Sequence, residues 1–196
     1  KGVKPEYYFI SASGNKKKFT KKKLNLLSNS LNEEQKKYNL KLSGGDTTNS
    51  NIVSFTITTI GFSKNIIARN NARLNDDIYI TGNIGDSFLG LKIIKNKINI
   101  NSKLKNYFIN QFYCPNLPYK IYKQMHKFTN TSIDVSDGLI TDMNKLINMQ
   151  KLSFEIEVDK IPISKNLDFF LKKNKKKRIE YLFNGDDYQI LFTAAK

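Results

Sequence analysis

The chain has 196 residues, 39% of them hydrophobic, which is enough for one large or two small globular domains with a buried core. No apolar run approaches the roughly 20 residues that a membrane helix needs, and Lys1-Gly2-Val3-Lys4-Pro5 lacks the apolar centre of a signal peptide, so the expectation is a cytoplasmic protein with no membrane partner. The formal charge of +16 admits an anionic partner, but Arg occurs only at Arg69, Arg73 and Arg178, and reading base edges leans on the guanidinium fork, so nucleic acid is not the expected one.

The first residue is not Met and the last ones, Leu191 to Lys196, stop as an apolar strand ends, so a fragment is expected. Residues 7 to 12, Tyr-Tyr-Phe-Ile-Ser-Ala, read as a strand that Gly14-Asn15 breaks. From Phe19 to about Tyr38, Leu24, Leu27 and Leu31 recur at helical spacing and are expected to be core. Leu40 and Leu42 lead into Ser43-Gly44-Gly45-Asp46-Thr47-Thr48, and β-branched residues from Ile52 to Ile60 suit a strand, so this acidic segment is expected to be a loop between two strands. Residues 63 to 76 are polar and irregular, and the domain boundary is placed there, with residues 1–72 in an N-terminal domain and 73–196 in a C-terminal one.

The second domain is expected to open with a strand at Asp77 to Thr81, a turn at Gly82 to Gly85, and a helix capped by Asp86 or Ser87 that runs to about Lys95. Helical stretches near 102 to 112 and 118 to 127 flank Pro115 and Pro118. Thr131 to Val135 reads as a strand, and Gly138 to Gln150 as a helix with Leu139, Met143, Leu146 and Ile147 on one face. Ser153 to Val158 alternates as a strand, residues 164 to 174 look helical, and Tyr188 to Thr193 closes with an apolar strand. Cys114 has no Cys or His at zinc-ligand spacing and reads as a small buried or half-buried side chain.

Three glycine-flanked acidic segments carry the chemistry. In Ile133-Asp134-Val135-Ser136-Asp137-Gly138-Leu139, two carboxylates leave a strand and enter a helix, and Mg²⁺ favours one or two carboxylates completed by phosphate oxygens and water. The plain alternative makes Asp137 a helix cap and Asp134 a turn residue. In Gly44-Gly45-Asp46-Thr47-Thr48 the glycines free the backbone to approach a ligand, although a tight turn would use the same residues. In Asn184-Gly185-Asp186-Asp187-Tyr188, adjacent side chains on extended backbone point opposite ways, so one carboxylate is expected to face a ligand and the other to cap or brace the loop.

Taken together, residues 44 to 48, 76 to 91, 134 to 139 and 185 to 192 resemble the corresponding segments of the thiamine-monophosphate kinase family, over most of residues 5 to 195. The resemblance implies the two-domain α+β fold of the superfamily that includes aminoimidazole ribonucleotide synthetase, selenophosphate synthetase and a hydrogenase maturation factor, with the N-terminal domain incomplete. It implies Mg²⁺- and ATP-dependent phosphorylation of thiamine monophosphate to thiamine diphosphate, by direct in-line transfer within a homodimer. By the same resemblance Asp46, Asp134 and Asp137 are Mg²⁺ ligands, Gly45, Arg69 and Ser136 contact ATP, and Asp186 meets the thiamine substrate. No general base is assigned, because the attacking group is already an ionised phosphate.

The sequence departs from the family at three places: Asp186 replaces a glutamate, Asn49-Ser50-Asn51 follows the first acidic segment, and Cys114 to Tyr119 lacks flanking arginines. The family's earlier acidic segments and its C-terminal aromatic are not in this stretch, so little or no kinase activity is expected of it alone. Two alternatives stay open: another ATP-using member of the superfamily, and a basic nucleic-acid-binding module.

Overall fold

The computed structural model describes residues 3–196; Lys1 and Gly2, at the start of the stretch expected not to be a signal peptide, lie outside the described residues. No helix among the described residues is long and apolar enough to cross a membrane. The chain is α+β and divides into two compact units, Val3–Asn65 and Ile66–Lys196.

In the first unit β1 (Lys4–Ser13) leads through α1 (Lys21–Tyr38) to β2 (Lys41–Thr48), and β3 (Ser54–Phe62) follows. The strand order is β2-β1-β3, with β1 parallel to β2 and antiparallel to β3. A helix between two parallel neighbours is the connection that parallel pairing requires. Thr20 caps α1 by accepting the Lys23 N–H, and Asn39, in the left-handed region with φ 54°, ends it. The leucine spacing marks the face of α1 correctly, but not a closed core. Leu24 is 44% exposed, no residue of α1 is buried, and Leu24, Leu27 and Leu31 line an open groove of about 440 Å³ with Ile10, Leu42 and Phe55.

In the second unit a short sheet of β4 (Asp77–Ile80), β5 (Thr131–Asp134) and β6 (Ile190–Ala194) has the order β4-β6-β5, with both pairs antiparallel. Around it run α2 (Asp86–Ile94), α3 (Ser102–Tyr113), the short α4 (Tyr122–Met125), α5 (Leu139–Leu146), α6 (Lys165–Lys173) and the short α7 (Ile179–Leu182). Alternation along β6 serves both faces of the sheet. Leu191 joins Ile133, Val135 and the α5 residues Leu139, Met143 and Leu146, while Phe192 and Ala194 pack with Ile67 and Met125. A third cluster, with Leu89, Phe108, Phe170 and Tyr181 among its members, joins α2, α3, α6 and α7.

Residues 153 to 158 form no strand: Leu152, Phe154, Ile156 and Val158 pack on the core at every second position, but no β-ladder holds the backbone. Alternation reports which side chains are buried, and strand assignment needs hydrogen-bonded partners as well. The cap of α2 is Gly85, with φ 94°, rather than Asp86 or Ser87, because both side chains are buried and used elsewhere. Asp86 accepts hydrogen bonds from Ser164 Oγ at 2.7 Å and Tyr107 OH at 2.8 Å, and Ser87 Oγ donates to the Gln111 carbonyl at 3.1 Å.

Candidate functional site

The second acidic segment begins where β5 runs out. Asp134 ends the strand, and residues 135 to 138 carry the chain into α5, whose cap is Gly138 with φ 119°. Asp137 therefore does not cap α5, and the plain reading of it as a helix cap fails. The helix start is satisfied from inside: the buried carboxylate of Asp142, one turn into α5, accepts the N–H groups of Ser136 and Asp137, each at 2.9 Å. Lys145 Nζ donates to Asp142 Oδ1 at 3.1 Å and also bonds the Asp137 carboxylate, and these two bonds, Asp137's the larger, push the Lys145 amine above its ordinary range.

The third acidic segment is zipped against the second, beyond the ends of β5 and β6. Val135 N–H donates to the Gln189 carbonyl at 2.8 Å, Tyr188 N–H to the Val135 carbonyl at 2.9 Å, and Asp186 N–H to the Ser136 carbonyl at 3.0 Å. Gly185 makes this closeness possible, since a Cβ there would lie 1.8 Å from the Ser136 oxygen. The Tyr188 phenol is held above its ordinary pKa by burial first, and then by the charges of Asp186, Asp134 and Asp137. The zipping brings the backbone of Asp134 to Asp137 alongside that of Asp186 to Gln189.

Asp187 takes the bracing role expected for one member of the acidic pair. It is buried, and its carboxylate accepts the Gly85 N–H at 2.9 Å and the Ser87 N–H at 3.4 Å, capping α2 from another part of the chain. Burial nevertheless pushes its pKa up to about 7, against the lowering effect of these hydrogen bonds. Asp186 is half-buried, with its backbone in the left-handed region at φ 70°.

Arg69 is exposed on a pinned segment. On one side the Ala68 carbonyl accepts from Thr131 Oγ1 at 2.6 Å, and on the other Asn70 N–H donates to the Leu146 carbonyl at 2.8 Å. The ion pair of Asp137 is with Lys145 and not with Arg69.

The first acidic segment belongs to the other unit, and the expected loop between strands is strand: Gly44 to Thr48 lie within β2. Gly45 pairs with Ile10, and a Cβ at Gly45 would fall 1.9 Å from the Ile10 carbonyl oxygen, so its smallness serves the approach of β2 to β1. Asp46, opposite Ser11, is exposed, and its Oδ1 accepts the Thr47 N–H at 2.7 Å. Cys114, expected buried or half-buried, is exposed just after α3. Among the described residues no group of three or more His, Cys, Asp or Glu has metal-holding geometry. What the second unit offers is two carboxylates at a strand end, a donor set that suits Mg²⁺ when phosphate oxygens and water complete the shell.

No protein-family model matches the chain. A thiamine-monophosphate kinase of Buchnera aphidicola subsp. Acyrthosiphon pisum is 39% identical over 165 residues, covering 82% of this chain and 50% of that protein. One from Aquifex aeolicus is 32% identical over 160 residues, covering 81% of this chain and 52% of that protein. The chain is a homologue of the thiamine-monophosphate kinases. It spans about half the length of these curated relatives. The crystal structure of thiamine monophosphate kinase from Aquifex aeolicus superposes with a TM-score of 0.91 at 27% identity, covering all of this chain and 66% of that one. AaThiL complexed with AMPPCP and TMP gives a TM-score of 0.90 at 27% identity, covering all of this chain and 63% of that one. The hydrogenase maturation protein HypE shares the fold at 14% identity, with a TM-score of 0.77, covering all of this chain and 61% of that one. The likeness to the kinases and to HypE makes the fold that of part of an aminoimidazole ribonucleotide synthetase-like protein.

Two residues with structural work at this site, Asp142 and Lys145, escaped the sequence reading. The signal for Asp142 was a carboxylate on the same helical face as Leu139 and Leu146, where an aspartate needs hydrogen-bond partners if it is to be buried.

Proposed function

We propose that the protein is an ATP- and Mg²⁺-dependent kinase that phosphorylates thiamine monophosphate to thiamine diphosphate by direct in-line transfer. The observation that carries the reading is the zipping of residues 135–136 to 186–189, which sets the acidic segments that hold Asp134, Asp137 and Asp186 side by side in a chain homologous to kinases of that name. In the second unit Asp134 and Asp137 hold Mg²⁺, and in the first unit Asp46 is a Mg²⁺ ligand in its own right. Gly45, Arg69 and Ser136 contact ATP, and Asp186 meets the thiamine substrate. Mg²⁺, when bound there, supplies charge neutralisation to the phosphate oxygens. The residues of the chain position the phosphoryl donor and acceptor, and the acceptor, an ionised phosphate, requires no base. Arg69 suits a phosphate because a guanidinium pairs two oxygens at once. The working form is a cytoplasmic homodimer.

Incubating the intact protein with thiamine monophosphate, ATP and Mg²⁺ is expected to yield thiamine diphosphate, resolved by chromatography; no diphosphate product overturns the reading. Asp137→Asn keeps the side-chain shape and removes one ligand charge. Calorimetry is expected to show Mg-ATP affinity weakened at least about tenfold. An unchanged affinity would remove Asp137 from the metal site.

A further inference from the structure

Asp142 lies outside the acidic segments, yet it fixes the backbone of the central one. Its side chain is 1% exposed, and one of its oxygens, Oδ2, takes the N–H groups of both Ser136 and Asp137 at 2.9 Å. The polar backbone groups just before them are also bound: Val135 N–H to the Gln189 carbonyl, the Val135 carbonyl to Tyr188 N–H, and the Ser136 carbonyl to Asp186 N–H. The backbone of Ser136 and Asp137 is thus clamped on one side by the 186–189 segment and on the other by Asp142, which fixes the directions in which their side chains leave it. The second oxygen, Oδ1, accepts Lys145 Nζ, which also bonds Asp137, so the buried charge is matched by a cation at the rim.

We propose that Asp142 is a positioning residue for the proposed Mg-ATP site: it sets the direction of the Asp137 carboxylate and the Ser136 hydroxyl without touching metal or nucleotide. The inference rests on the reading of that site given above. A buried carboxylate that binds backbone N–H groups next to a metal ligand acts as outer-shell partners do, and losing one weakens metal affinity roughly 10- to 100-fold. Asn at this position keeps one carbonyl oxygen for the two N–H groups but turns an amide NH₂ toward the Lys145 ammonium. Two donors then face each other, and the turn shifts to relieve them.

Calorimetric titration of the intact protein with Mg-ATP, well below its melting temperature, tests this on Asp142→Asn. Met143→Ala, a cavity in the same helix, is the comparison of similar stability loss, and Asp137→Asn the comparison for the site itself. The expected result is a roughly tenfold or greater weakening in Asp142→Asn with near wild-type affinity in Met143→Ala. Equal weakening in both, or none in Asp142→Asn, overturns the positioning role while Asp137→Asn still reports a metal site. An Asp137→Asn protein that binds like wild type overturns the site reading, and the proposal falls with it. A second variant, Lys145→Ala, leaves both N–H bonds to Asp142 in place and is expected to bind within about threefold of wild type. A tenfold loss there would assign the effect to the ammonium and overturn the proposal, whether or not the Asn variant folds.

Discussion

Alanine at position 185 is expected to destabilise the 66–196 unit by about 3 kcal/mol and to abolish Mg-ATP binding in the same step. The reason is local and steric. An added Cβ would sit 1.8 Å from the Ser136 oxygen and 2.5 Å from the Ser136 carbonyl carbon, and the contact is with backbone, so no side chain can swing away. The two segments must separate by more than an ångström. That separation breaks the Asp186-to-Ser136 bond and strains the Tyr188-to-Val135 bond, which together align the third acidic segment with the second. For a unit of this size the loss corresponds to a melting-temperature drop of about 10 °C. Asn184→Ala is the neighbouring comparison. It removes a 3.3 Å bond to the Glu180 carbonyl and is expected to cost about 1 kcal/mol with Mg-ATP affinity retained. Calorimetric melting and Mg-ATP titration of both variants check the pair. A Gly185→Ala protein that melts and binds like wild type would show that the segments are not locked together through Ser136.

Much of this arrangement was legible in the residues. The strand-to-helix passage at 131–146 and the core face of Leu139, Met143 and Leu146 follow from periodicity, because both elements bury one side against the same cluster. One member of the acidic pair was expected to brace the loop, and Asp187 does so, although the backbone is left-handed at Asp186 (φ 70°) and not extended as the alternation argument assumed. Other features were hidden for physical reasons. Gly44-Gly45 serves a turn or a close strand pair equally well, and only the carbonyl of Ile10, distant in sequence, decides for the strand. The segment from Leu152 to Val158 has the alternation of a strand without a ladder. The apolar face of the 139–146 helix marks Asp142 as a carboxylate turned inward, but not what it binds, because its partners are backbone N–H groups, which every sequence possesses. The leucines of α1 repeat as a core face does, yet periodicity shows which side of a helix is apolar and not whether anything closes over it.

The second large effect is on pH. Asp187 is expected to make the 66–196 unit lose stability as pH rises from about 4 to about 7. Its carboxyl has an ordinary value of 3.8 and is pushed up to about 7 in the fold, chiefly by burial. Between those values the folded chain keeps a proton that the unfolded chain has released, so raising the pH favours unfolding throughout the window. Below it both states are protonated, and above it both are ionised, so the contribution is flat on either side. A shift from 3.8 to about 7 corresponds to on the order of 4 kcal/mol across the window. Asp86, raised by burial against its bonds from Ser164 and Tyr107, works in the same direction. Asp76 works oppositely. Burial tends to raise it, but the hydrogen bonds from Arg73, Asn130 and Thr193 together outweigh burial and hold it below its ordinary 3.8, so its contribution is lost at lower pH as it protonates. Asp187→Asn isolates the first effect. The amide offers one acceptor oxygen to the α2 cap and is expected to cost about 1 to 2 kcal/mol at pH 5, where the wild-type group is protonated. By pH 8 the wild type carries the charge and the variant does not, so the variant closes that gap and overtakes. Denaturant unfolding of both proteins at pH 5 and pH 8 measures the difference, and parallel stability at the two values would mean that Asp187 caps α2 as an ordinary ionised carboxylate throughout.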